Sequence, residues 1–171
     1  MKTYNLEDIF KFAINMEGQG KVFYDAVSDN TEDKKAKELF SYLGKQETEH
    51  AKTFGRLYNI YAKKGSSFSA DEHFEEVLDT LFRGLLVPDI SEVRDALVRK
   101  KRITSIIKIG MDVELNTILF YKKLKESIGA GEAGKALEKI IAEEENHLVR
   151  LKNLRIDVDP FYAGIEYAKF F

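Results

Sequence analysis

From Leu6 to about Ser28 the apolar residues Leu6, Ile9, Phe10, Ala13, Ile14, Val22, Phe23 and Val27 return at steps of three and four, the period of one face of an α-helix. Asn5 stands where an N-cap is wanted. After Asp29-Asn30, the run Thr31-Glu32-Asp33 is a fitting start for a second helix, whose stripe of Leu39, Phe40, Leu43, Phe54, Leu57 and Ile60 reaches about Lys63. Gly65-Ser66-Ser67-Phe68-Ser69 breaks it. The connection from about 65 to 102 is too long for a turn and must carry structure of its own. The pattern predicts a helix over about 71–86, a stop at Pro88 and a short helix from near Ser91. A third long helix follows over about 103–127, ended by Ile128-Gly129-Ala130-Gly131, and a fourth runs from Glu132 to about Leu154. The expectation is an all-α fold of one domain over residues 1–171: a four-helix bundle of two antiparallel hairpins joined by a long helical crossover. The ending, about 157–171, with Pro160-Phe161-Tyr162 and Phe170-Phe171, is too aromatic for a free tail. It is expected to dock on the core or on a second subunit, which makes a homodimer the expected assembly.

Composition narrows what such a bundle can do. At 171 residues the chain can bury roughly two-thirds of its unfolded surface without staples. The charge is nearly balanced, 27 basic against 29 acidic residues, so neither a nucleic acid nor an anionic membrane is an expected partner. Cysteine is absent, which excludes disulfides, iron-sulfur clusters, thiolate metal sites and cysteine nucleophiles within these residues. Any metal here must be held by oxygen and nitrogen. The opening residues run straight into the periodic segment with no long apolar stretch, so a cytoplasmic location is expected.

The chemistry emerges from an internal repeat. A shift of 97 positions (17 to 114, 47 to 144) lays the first two helices over the last two. Glu17 and Glu114 are each followed, after five residues, by Phe-Tyr, giving Phe23-Tyr24 and Phe120-Tyr121. The same shift lays Glu47-Thr48-Glu49-His50 on Glu144-Glu145-Asn146-His147, so each half supplies one helix with a lone Glu and one with Glu-x-x-His. Residues three apart share a helix face about one turn from each other, so one helix can offer a carboxylate and an imidazole together. Met by the same pair from a neighbour and by single carboxylates from the other two helices, this constellation encloses space for two divalent ions. Four carboxylates neutralise most of the charge of two such ions. One imidazole per ion in an oxygen-rich set suits iron or manganese.

These residues resemble the ferritin-like superfamily and, within it, the rubrerythrin-like proteins, over nearly the whole chain. The resemblance implies two iron ions, with manganese or another divalent metal as the alternative. It implies that Glu47 and Glu144 bridge the ions, that Glu17 and Glu114 bind one each from the sides, and that His50 and His147 complete the two spheres. Tyr24 and Tyr121 look like tyrosines that hydrogen-bond a ligand carboxylate, with plain packing as the other reading. The implied activity is a peroxidase that reduces hydrogen peroxide. The alternatives are a ferroxidase, a manganese-catalase-like activity, or an iron-binding protein that does not turn over. Typical rubrerythrins carry a cysteine-rich rubredoxin-like domain; with no cysteine here, the electrons are expected from an external protein such as a rubredoxin. Rubrerythrins also tend to have a further glutamate one turn before the third-helix ligand, a place held here by Met111, with Ile14 as its counterpart. A redox-linked exchange of a glutamate for a histidine ligand is therefore not expected.

Other charged residues take a plainer reading. Glu49, Glu143 and Glu145 neighbour the ligands but are expected on other faces, as rim or solvent charges. His73 has no repeat partner and reads as a surface residue. The run Arg99-Lys100-Lys101-Arg102 reads as a solvated linker or helix end.

Overall fold

The computed structural model describes residues 2–82, 103–159 and 161–162. In order they form β1 (Lys2–Asn5), α1 (Leu6–Asn30), α2 (Lys34–Ala62), β2 (Ser67–Ala70), α3 (Glu72–Phe82), α4 (Ile103–Ile128) and α5 (Glu132–Val158). α1 packs on α2 and α4 on α5 as two hairpins, and the halves meet through α1 with α4 and α2 with α5. This is the all-α helical bundle that the periodicity implies. The short helix expected near Ser91, the basic run 99–102 and the aromatic residues 163–171 lie outside the described residues.

Local chemistry sets the helix ends. The Asn5 side chain accepts from the Glu7 N–H at 2.9 Å, satisfying one of the first-turn donors of α1. The second helix starts later than its expected opening at Thr31. The Thr31 N–H instead donates to the Val27 carbonyl and closes α1, while Asp33 caps α2 by accepting from the Ala36 N–H at 2.8 Å. A carboxylate at the N-cap is also favoured by the helix dipole. At the end of α4, Gly129 adopts φ +76°, open to glycine at little cost, and its N–H donates to the Lys125 carbonyl. α5 continues four residues past the expected Leu154, and its last turn is tied to α2 by Asp157 and Lys35 at 2.7 Å.

Two strands were not foreseen. β1 and β2 pair antiparallel, with Tyr4 opposite Phe68, and these rings gather Phe74 of α3 into an aromatic lid at the end of the bundle. Four-residue strands are too short to carry a period of two that stands out from the flanking helices.

The interior consists of two apolar layers. One contains Phe10, Phe54, Phe74, Phe120 and Leu137; the other contains Phe23, Phe40, Leu43, Ile107 and Leu151. Glu17, Glu47, His50, Glu114, Glu144 and His147, every one buried, belong to neither layer.

Candidate metal centre

Each of the four long helices contributes to one polar cluster. Glu17 comes from α1, Glu47 and His50 from α2, Glu114 from α4, and Glu144 and His147 from α5. The lone glutamates and the Glu-x-x-His pairs face inward because they continue the apolar stripes: Glu17 follows Phe10 and Ala13 around the buried face of α1, and Glu114 follows Ile107 and Gly110 on α4.

The donor atoms fall into two groups. Glu17, Glu47, His50 and Glu144 form one; Glu47, Glu114, Glu144 and His147 form the other. Within each, the atoms lie within 4.8 Å of one another, and Glu47 and Glu144 belong to both. The Nδ1 of His50 is 3.1 Å from Glu144 Oε1 and 3.5 Å from Glu17 Oε2, yet among the described residues none of these three buried atoms makes an aligned hydrogen bond. On the other side, His147 Nδ1 lies 2.8 Å from Glu144 Oε2, 3.7 Å from Glu114 Oε1 and 4.0 Å from Glu47 Oε1. Buried donors left without partners are costly, and their convergence is what a cation between them would relieve. The set of carboxylates and imidazoles, two overlapping groups of four, is compatible with two iron ions.

The electrostatics point the same way. Burial and the neighbouring carboxylates push Glu47 and Glu114 well above the usual carboxylate range, and Glu144 is raised chiefly by burial. Burial opposes the charged form of His50, but Glu144 and Glu17 outweigh it and hold its pKa up to about 11. Burial, aided by the charge of His50, outweighs the neighbouring carboxylates and lowers the pKa of His147. Glu17 is lowered despite its burial, through the adjoining Glu47 carboxyl and the charge of His50. Four acids packed this closely require positive charge, which protons supply where metal does not.

Both tyrosines reach across the bundle to glutamates of the cluster. The Tyr24 hydroxyl of α1 donates to Glu114 Oε1 of α4 at 2.5 Å, and the Tyr121 hydroxyl of α4 donates to Glu17 Oε1 of α1. Each half thus holds the other half's glutamate. Both phenols are buried and raised well above their ordinary pKa, by burial first and then by the glutamates, so they remain protonated donors.

Glu143 corrects the expectation of a mere rim charge. It is partly exposed, but its Oε2 lies 3.1 Å from His50 Nε2, so it fixes the ring that presents Nδ1 to the cluster. Its repeat counterpart is Gln46, and among the described residues His147 Nε2 has no hydrogen-bond partner. The ring of His147 instead meets the edge of Tyr42 at 6.0 Å. Sequence reasoning missed the contact of Glu143 with His50 because a 93-residue separation across α2 and α5 leaves no local signal. Glu49 and Glu145 do face outward, bonded to Lys52 and Lys122, and His73 is exposed.

An all-α bundle with such a buried cluster belongs to the ferritin-like diiron-carboxylate class. The rubrerythrin family model matches residues 8–155, which include every residue of the cluster, and the chain belongs to the rubrerythrin family. Among solved structures it is similar to a candidate ferritin-like diiron-carboxylate protein from Thermotoga maritima. The identity is 27% over 91% of this chain and 97% of that one, with a TM-score of 0.71. No curated protein matches the chain significantly. Among the described residues, no helix is long and apolar enough to cross a membrane.

Proposed function

We propose that this protein is a hydrogen peroxide reductase. In this reading Glu17 and His50 would hold one iron ion, Glu114 and His147 would hold the other, and Glu47 and Glu144, common to both donor groups, would serve both. The observation that supports it most is the pair of overlapping donor groups sharing Glu47 and Glu144, since carboxylates common to both groups would let two ions act on one small molecule. The overall change takes up two protons and two electrons, breaks the O–O bond of HOOH and leaves two waters. Iron at the site supplies the two electrons and the positive charge that the reacting oxygens need. Because these residues include no cysteine, the electrons reach the site from a separate one-electron carrier such as a rubredoxin.

The chain's own groups have distinct tasks in this reading. Tyr24 and Tyr121 hold Glu114 and Glu17 through neutral hydroxyls, so those carboxylates keep their orientation as charge at the site changes. Glu143 fixes the tautomer of His50. The two apolar layers exclude bulk water from the carboxylates and limit side reactions.

The test is metal analysis of protein from iron-supplemented cells, followed by anaerobic reduction and mixing with hydrogen peroxide. Two irons per chain, oxidised rapidly by peroxide and re-reduced by a small electron-transfer protein, support the reading. Little iron, or iron inert to peroxide, refutes it in favour of manganese chemistry or an iron-binding role.

A further inference from the structure

The two hairpins present unlike outer faces. Among the described residues five large apolar side chains stand exposed, and three of them, Leu115, Leu119 and Val149, belong to the α4–α5 hairpin. These three share a face. Lys122 of α4 pairs with Glu145 of α5 at 2.7 Å and Lys125 with Glu138 at 3.4 Å, which fixes the level at which the antiparallel helices meet. Leu119 lies one turn before Lys122 and Val149 one turn beyond Glu145, so the two stand abreast, with Leu115 one turn further along α4. Folding of the hairpin does not call for this face to be apolar. The 97-residue repeat lays Leu115 on Gly18, Leu119 on Val22, Ala142 on Lys45 and Val149 on Lys52, and α1 and α2 form the same hairpin with those two lysines exposed.

We propose that the α4–α5 face is the contact between two copies of this chain, related by a two-fold axis that sets α4 antiparallel to α4 of the second copy with position 117 at the centre. The exposed stripe of α4 reads Lys108, Asp112, Leu115, Leu119, Lys122 and Glu126, in steps of four and three that keep to one side of the helix. About position 117 this stripe is its own complement. Leu115 meets Leu119 of the second copy, Asp112 meets Lys122, and Lys108 meets Glu126, and the two-fold repeats each pair. Within one chain Lys108 is bonded to Asp112 and Glu126 to Lys123, exposed pairs worth little alone that the contact extends into networks. A groove of about 660 Å³ between Glu126 and Glu138 lies where Lys108 of the second copy arrives. Helices of 26 and 27 residues side by side present a face about 40 Å by about 20 Å, roughly 800 Å² per copy, the size of a standard specific interface. An apolar centre inside a charged rim is the usual anatomy of such a contact. The α1–α2 face, with Lys45 and Lys52, stays in solvent.

Sedimentation equilibrium of the full chain tests the proposal. A particle of twice the chain mass is expected across the micromolar range. Leu119→Glu is expected to weaken the dimer about a hundredfold or more, since the two-fold places two carboxylates in the contact, while helical content and metal content stay unchanged. Val22→Glu, the equivalent change on the other hairpin, is expected to leave the dimer intact. The register is read by mixing Leu115→Cys protein with Leu119→Cys protein under mild oxidation. The chain has no cysteine of its own, so each variant carries one thiol, and the mixed disulfide is expected to form faster than either homodisulfide. A monomeric wild type overturns the proposal, and a small electron carrier whose binding is lost in Leu119→Glu would then be the occupant of the face. A dimer indifferent to Leu119→Glu, or broken instead by Val22→Glu, overturns the choice of face. Homodisulfides that form faster than the mixed one overturn the register.

Discussion

Replacing Glu144 by Gln separates the cost of the acidic cluster from its use. Glu144 is completely buried and touches both imidazoles, with Glu17, Glu47 and Glu114 gathered around the same centre. Two like charges 4 Å apart in an environment of effective dielectric 20 repel by about 4 kcal/mol. Part of that repulsion is already relieved in the metal-free protein, because Glu144 holds its proton more tightly than an ordinary carboxyl. The amide of Gln also needs acceptors, so the net gain expected from this isostere is about 1–2 kcal/mol. For a chain of this size that raises Tm by roughly 2–8 °C. With a hundredfold excess of metal over Kd, the wild type gains about 2.7 kcal/mol, whereas the variant, lacking a donor common to both groups, gains almost nothing. Thermal melts with chelator and with ferrous or manganous ion read both effects. A variant that melts below wild type in chelator and keeps the full metal-induced rise refutes the assignment of Glu144.

Three further outcomes are expected. Tyr24→Phe and Tyr121→Phe should each lower metal affinity roughly 10–100-fold while the helical content stays unchanged; calorimetric titration with manganous ion checks this, and unaltered affinity counts against the crossed hydrogen bonds. Glu143→Gln should weaken one of the two ions only, giving a split titration, because Glu143 serves His50 while His147 has no equivalent among the described residues; equal weakening of both ions contradicts it. The metal-free protein should lose stability from about pH 5 to pH 9, measured by urea denaturation. Glu47, Glu114, Glu144 and His50 bind protons more tightly folded than unfolded, so their stabilisation is complete below the unfolded pKa and fades as pH climbs toward the folded one. Lowered His147 works the other way near its ordinary 6.5, one group against four, and lowered Glu17 is already ionised through this window. A metal-free protein that grows steadily more stable toward pH 9 refutes this account.

Much of the fold is legible in the sequence because the helices are long. Twenty-five or more residues give several turns of apolar periodicity, and Asn5 and Gly129 mark their ends by chemistry that acts locally. The six buried cluster residues were legible for a different reason: the repeat states the same spacing twice. What escaped is what depends on contact across the bundle. The strand pair joins residues 2–5 to 67–70, and the reach of Glu143 to His50 depends on how α5 rotates against α2. Asp33 rather than Thr31 capping α2 is a local matter of two competing acceptors, and patterns place such boundaries only to within a few residues.

The crossed tyrosines have a consequence for ancestry. Each helical hairpin carries a lone glutamate, a Glu-x-x-His pair and a phenol aimed at a glutamate it does not itself own. Two copies of a single hairpin, related by a two-fold axis, would therefore supply each other's phenol–glutamate bonds, and one hairpin alone would leave its lone glutamate and its phenol without that partner. A gene duplication that fused such a dimer would preserve those bonds and leave each half free to diverge, a pattern that Gly20 against Thr117 and Gln46 against Glu143 would fit. A chain cut between α3 and α4 should accordingly yield two fragments that reassemble.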